Sequence, residues 1–187
     1  MALKRFATGT PYGCVEMNFA TWPRDGRVPS QLPLSKEFEE VRCENGFWLV
    51  YDELAKEVRK PTAADEAIVL VYSAEKDYGM IGQRGLGYFS QGAGDMPRTG
   101  RMVIGDKYTT NTFAYSDEEF ADDAAVVTAM ATLADTPLYV VADPAGDGAP
   151  TLTKIKPDAG TYGQVIKYYT VPNGQPGVKI EILSANS

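Results

Sequence analysis

Apolar and polar positions alternate most cleanly near the C-terminus. Val178, Ile180 and Ile182 fall on one face of a strand, Lys179 and Glu181 on the other. Gln164 to Val171 precedes them across Pro172-Asn173-Gly174-Gln175-Pro176-Gly177, which predicts an antiparallel hairpin. Tyr168 and Tyr169 then point to opposite faces, so at least one is placed to face outward or meet a partner. The unbroken apolar run Ala67 to Tyr72 predicts a central strand buried on both faces. Val41-Arg42-Cys43-Glu44, Asn45-Gly46 and Phe47 to Tyr51 predict a second hairpin within Glu39 to Asp52, closed by a type I′ turn. Glu53 to Lys60 is a short amphipathic stretch of about two helical turns, ended by Pro61. Tyr12 to Phe19, Arg101 to Ile104, Tyr108 to Thr112 and Pro137 to Ala142 complete the strand signals, with Asp143 to Pro150 a loop. Helical spacing is carried by Phe120, Ala124, Val127, Ala131 and Ala134. Ser116 and Glu119 stand before them as a capping box, which predicts a helix over 117–133; two short strands are the rival, because Val126-Val127-Thr128 is β-branched.

Proline and glycine divide this pattern. Trp22-Pro23-Arg24-Asp25-Gly26 and Pro29 to Pro33 break any regular element, so residues 1–36 are expected to form an extended arm. Its Trp22, Leu32 and Leu34 must be hidden against the chain's own domain or a neighbouring subunit. Gly79, Gly82, Gly85, Gly87, Gly92 and Gly94 crowd a flexible loop over 79–97, where Arg84, Tyr88 and Phe89 suit a protein interface. The expected organisation is an arm (1–36), a β-rich part (37–97) and a β-rich C-terminal domain (98–187). The fold class is mainly β: a sandwich or partly open barrel of short antiparallel strands with one or two short helices.

Composition narrows the chemistry. The chain has 187 residues and no histidine, which removes Ser-His and Cys-His nucleophiles and histidine-based metal sites. Its formal net charge of −7 argues against a nucleic-acid-coating role and fits solubility or a basic partner surface. No apolar leader follows Met1, and the run Ala67 to Tyr72 is too short to cross a bilayer, so neither secretion nor a membrane partner is expected. Cys14 and Cys43 have no metal-ligand spacing and are expected as two buried thiols.

Other candidate chemistry has a simpler structural origin. Gly82, Gly85 and Gly87 approach a phosphate loop but lack the Gly-Lys-Ser/Thr ending. Asp117, Glu118, Glu119, Asp122 and Asp123 fit a helix N-terminus as well as a cation. Asp143, Asp147 and Asp158, with Gly146 and Gly148, fit turn chemistry as well as a calcium loop. Among 25 acidic residues no glycosidase pair stands out. No catalytic residue, cofactor or metal is expected.

The segment Gly105-Asp106-Lys107-Tyr108-Thr109-Thr110-Asn111, followed by the hairpin from Gly163-Gln164-Val165-Ile166-Lys167-Tyr168-Tyr169 to Val178-Lys179-Ile180-Glu181-Ile182-Leu183, resembles the decoration or auxiliary capsid proteins of tailed-phage heads. The resemblance covers about half the chain and leaves 1–97 unexplained. It implies a non-enzymatic homo-oligomer on the capsid lattice, made in the host cytoplasm and resident in the virion, with the major capsid protein or other virion subunits as partners. The alternatives are a tail or connector component, and a carbohydrate-binding β-sandwich presenting Trp22, Trp48 or tyrosines to a sugar.

Overall fold

A computed structural model describes residues 3–6, 13–19, 29, 31–63, 66–73, 90–170 and 176–186. Two sheets carry the chain. The larger has eight strands: β1 (Leu3–Arg5), β2 (Val15–Phe19), β7 (Lys107–Thr110), β8 (Ala114–Ser116), β9 (Tyr139–Val141), β10 (Thr151–Thr153), β11 (Tyr162–Thr170) and β12 (Pro176–Ser184). Their spatial order is β1-β8-β10-β9-β11-β12-β7-β2. The smaller has β3 (Trp48–Asp52), β4 (Glu57–Arg59), β5 (Ile68–Val71) and β6 (Thr99–Arg101), in the order β4-β3-β5-β6. One α-helix, α1 (Asp123–Ala131), and a 3₁₀ turn at Lys36–Phe38 complete the described elements. The fold is mainly β and sandwich-like, with no closed barrel.

Period-two alternation sets the layers. Trp48, Val50, Ile68 and Leu70 point from the small sheet into a core shared with Tyr108, Val140, Val165, Val178, Ile180 and Ile182 of the large sheet. Leu49, Val69 and Val71 point the other way, under Leu34, Phe38 and Cys43. β5 is therefore central and buried on both faces, as its unbroken apolar run predicts. Trp48 Nε1 donates to the Tyr108 hydroxyl at 2.8 Å across the two sheets, so both polar tips are satisfied inside the core.

The hairpin β11–β12 pairs from Tyr162↔Ser184 to Thr170↔Pro176, with Val178, Ile180 and Ile182 inward, as expected. The 137–142 strand also forms, as β9. Not every pairing is antiparallel, because β8 and β10 run parallel. The two halves expected to meet near residue 98 share one core, and β6 joins the strands that precede it. Of the expected arm, β1 and β2 are the outer strands of the large sheet, while Pro33 to Ser35 run beside Val58 of the small sheet.

Three local expectations are corrected. No hairpin forms about Asn45-Gly46. Only Gly46 takes positive φ (+94°), and the Glu44 carbonyl accepts from Phe47 N–H, the pattern of a type II turn. Cys43 bridges to Gln91, which leaves β3 to pair with β4 and β5. Residues 53–60 are not helical. Asp52 Oδ1 accepts from Leu54 and Ala55 N–H, Lys56 takes φ +58°, and β4 follows at once. The helix begins six residues late. Ser116 receives Glu118 N–H, but Glu119 turns away to Thr153 and Lys154, and Asp122 is the cap, accepting from Ala125 N–H at 2.8 Å.

Candidate functional site

Partly buried ion pairs among the described residues tie strands and turns together. Arg5 on β1 reaches Glu44 Oε2 at 3.0 Å and Asp147 Oδ2 at 3.7 Å, and its guanidinium lies 5.0 Å above the Phe47 ring. Glu44 Oε2 also accepts Gly13 N–H at 2.7 Å. Gly13 itself cannot be replaced, because a Cβ there would stand 1.8 Å from Thr112 Oγ1. Burial pushes the Glu44 carboxyl above its ordinary range and outweighs the Arg5 charge and the Gly13 amide, which pull it down. One arginine between two acids thus clamps the N-terminal strand to the turn before β3 and the loop after β9.

A second network lies at the edge of the small sheet, where Arg59 holds both Asp52 and Glu66. Burial works against the Glu66 charge, but the Arg59 hydrogen bond and the Thr62 and Ala63 amides prevail and bring its pKa to about 2. A lowered carboxyl stabilises the fold above its unfolded value and loses that contribution on acidification. Glu66 should therefore withdraw stability as the pH falls from 4.5 toward 2. Urea unfolding of Glu66→Gln should show a weaker pH dependence across that window than the parent chain. Equal slopes would contradict this assignment.

The acidic cluster is occupied structurally. Asp122 caps α1, Asp123 accepts the Tyr115 hydroxyl at 2.7 Å, and Glu119 receives Thr153 Oγ1 and Lys154 N–H. Asp143 and Asp147 close their own turns by accepting Ala145 and Ala149 N–H, and Asp158 is exposed. Among the described residues no three His, Cys, Asp or Glu side chains are grouped to hold a metal ion. Neither cysteine is in a disulfide; Cys14 is half-buried rather than buried as expected, Cys43 is buried, and burial raises the Cys43 thiol far above its ordinary pKa.

Of the expected interface residues, Trp22, Arg84, Tyr88 and Phe89 lie outside the described residues, as does 79–89 of the glycine-rich loop expected over 79–97; its remainder is tied to Cys43, Leu34 and Phe38 by backbone hydrogen bonds. Leu34 serves the chain's own core at 3% exposure. It is fixed by bonds from Leu34 N–H to the Asp95 carbonyl and from Gly94 N–H to the Leu34 carbonyl. Leu32 is half-buried against the same cluster. Trp48, considered as a sugar platform, is 1% exposed and cannot present its ring to a ligand. Tyr168 packs on the core while Tyr169 stays 37% exposed, as their adjacency predicts.

Residue-by-residue pattern reading misses one surface. At the β3–β4 turn Leu54 is 98% exposed, and Glu53 beside it approaches Arg101 at 3.8 Å. Arg101 lines an apolar cavity of about 270 Å³ with Val50, Ile68, Met102 and Val103. Ile104, next in the chain, is 69% exposed. Asp106 shapes this turn by accepting Val103 N–H at 2.9 Å, and Gly105 N–H is held by the Ile182 carbonyl, so the apolar pair 103–104 stands out from the sheet. The sequence signal for it is a Leu in a charged turn and an Ile beside Gly-Asp, positions that polar residues usually fill. Comparison with protein families, curated proteins and solved structures finds no match to this chain.

Proposed function

We propose that the chain is a non-enzymatic structural component of a bacteriophage virion, a decoration protein that binds and stabilises the head lattice. The observation that carries this reading is the end of the small sheet, where Leu54 and Ile104 are exposed and Arg101, Met102 and Val103, which precede Ile104, line an apolar cavity. Such side chains suit contact with a neighbouring protein. The Arg101–Glu53 pair at the rim supplies polar groups that orient the contact without dominating its energy. The polar networks around Arg5 and Arg59 support the same reading, because they bind strands to one another. A tail or connector component would share these features and differs in copy number.

Cosedimentation of the purified chain with expanded heads tests the proposal. Binding should saturate at a fixed ratio to the major capsid protein. Leu54→Asp should weaken it by roughly 30-fold, the scale of about 2 kcal/mol for a buried apolar anchor. It should not lower the unfolding temperature, since Leu54 contributes nothing to the core. No saturable binding by the parent chain would refute the reading, and unchanged binding by the variant would remove this surface from it.

A further inference from the structure

The outer half of the C-terminal hairpin carries an arrangement that the fold does not use. β9 pairs with β11 only at Tyr162, Gly163 and Gln164, and Val165 N–H makes the last bond on that side, to the Leu138 carbonyl. Beyond it, Ile166 to Thr170 pair with β12 alone, so among the described residues the far edge of this stretch has no strand beside it. A register shift between Val165 and Lys167 puts Lys167 directly opposite Lys179. Val178 and Ile180 are fully buried, so Lys179 faces outward, and Lys167 lies on the same face. Tyr169 opposes Gly177 on that face at 37% exposure, and Ile166 is 39% exposed.

Like charges directly opposite one another weaken a sheet. The next outward residue along β12, Glu181, is matched by Lys107 at 3.2 Å, so the same strands provide opposite charges where the fold alone needs them. Neither Lys167 nor Lys179 has an ion-pair partner among the described residues. Edge lysines can guard a sheet against aggregation, but Lys179 sits on an interior strand between β11 and β7 and guards no edge. An acidic chain of net charge −7 thus keeps two opposed lysines on a stretch of β11 that, among the described residues, no strand flanks on its far side.

From this we infer that the hairpin is the docking site for an extended acidic segment of a neighbouring protein. That segment adds as a strand beside Ile166 to Thr170 and sets carboxylates against Lys167 and Lys179. Main-chain hydrogen bonds supply affinity in this mode and the paired charges supply selectivity. The inference rests on the virion reading only in treating the chain as part of an assembly. It places a second contact at Lys179, about 10 Å along β12 from Ile182, whose carbonyl holds the Gly105 N–H beside Ile104, taking the rise of an antiparallel strand.

The probe is a fluorescent twelve-residue peptide of alternating valine and glutamate, followed by anisotropy. It should bind the full chain with an affinity that falls as salt is raised, and the valine–lysine peptide should not bind. Lys167→Glu and Lys179→Glu should each weaken binding at least tenfold, with Lys36→Glu as an unaffected charge control. Lys167→Glu should also melt above the parent, since it turns a repelling pair into an attracting one. If it does not, Lys167→Gln, which only removes the repulsion, is the binding variant to read. The inference is overturned if the acidic peptide fails to bind, if the variants bind it as the parent does, or if inorganic phosphate displaces it at equal charge concentration. Failure here with head binding intact removes this surface alone. Peptide binding without head binding removes the capsid reading alone.

Discussion

Trp48→Ala should lower the unfolding free energy by about 3–5 kcal/mol, a large part of what a domain of this size possesses. Trp48 is among the largest fully buried side chains, and its indole lies where the two sheets meet. Truncation removes apolar area and leaves a cavity that the Ile68, Leu70 and Ile180 side chains cannot close without moving strands. It also strips the Tyr108 hydroxyl of its donor at a fully buried position. Tyr108→Phe separates the two effects. It keeps the ring and leaves only Trp48 Nε1 unpaired, which should cost about 1–3 kcal/mol. Urea denaturation measures both. Equal costs for the two variants would show that the hydrogen bond, rather than the packing, joins the sheets.

Arg5→Ala should cost about 2–3 kcal/mol, because it leaves Glu44 partly buried without its counter-charge. The loss falls on the attachment of β1 to β8 and should expose the N-terminal strand first, read as faster hydrogen exchange at the Phe6 amide, which bonds the Phe113 carbonyl. Glu44→Gln should be far milder. The amide oxygen can still accept Gly13 N–H, and Arg5 keeps Asp147. The sign of the pH effect follows from burial. A carboxyl raised in the folded state favours folding at low pH, and its contribution declines as the pH rises from its unfolded value through its raised folded one. Glu44→Gln should remove that decline. A Glu44→Gln variant as unstable as Arg5→Ala would contradict the assignment of burial as the dominant influence on this group.

What could be read from the sequence is what local pattern determines. The hairpin β11–β12 follows from strict alternation, and β5 from an apolar run bounded by turn formers. Elements whose partners lie far away in sequence were less legible. β10 is only Thr151–Thr153 after a loop, and it forms because Ala114 and Tyr115 of β8 offer a parallel edge. Asn45-Gly46 predicts a hairpin only while Cys43 has no other partner, and Gln91 supplies one. Ser116 and Glu119 have the spacing of a capping box, yet the Thr153 hydroxyl and Lys154 amide attract the Glu119 carboxylate away, and the helix waits for Asp122. The opposed lysines could not be found from spacing at all. Their register depends on the shift between Val165 and Lys167, which alternation does not encode.

Histidine-free composition directs attention from catalysis to surfaces, and those that stand out among the described residues are the exposed Leu54 and Ile104 and the opposed lysines Lys167 and Lys179 of the C-terminal hairpin. Two surfaces of different chemistry on one chain would suit a protein set between lattice neighbours.

The most direct measurement is the copy number of this chain in gradient-purified virions, by quantitative mass spectrometry against the major capsid protein. A decoration protein predicts a fixed ratio on the scale of the lattice, maintained in isolated heads without tails. Absence from the particle, or a few copies that leave with the tail or connector, would contradict the account.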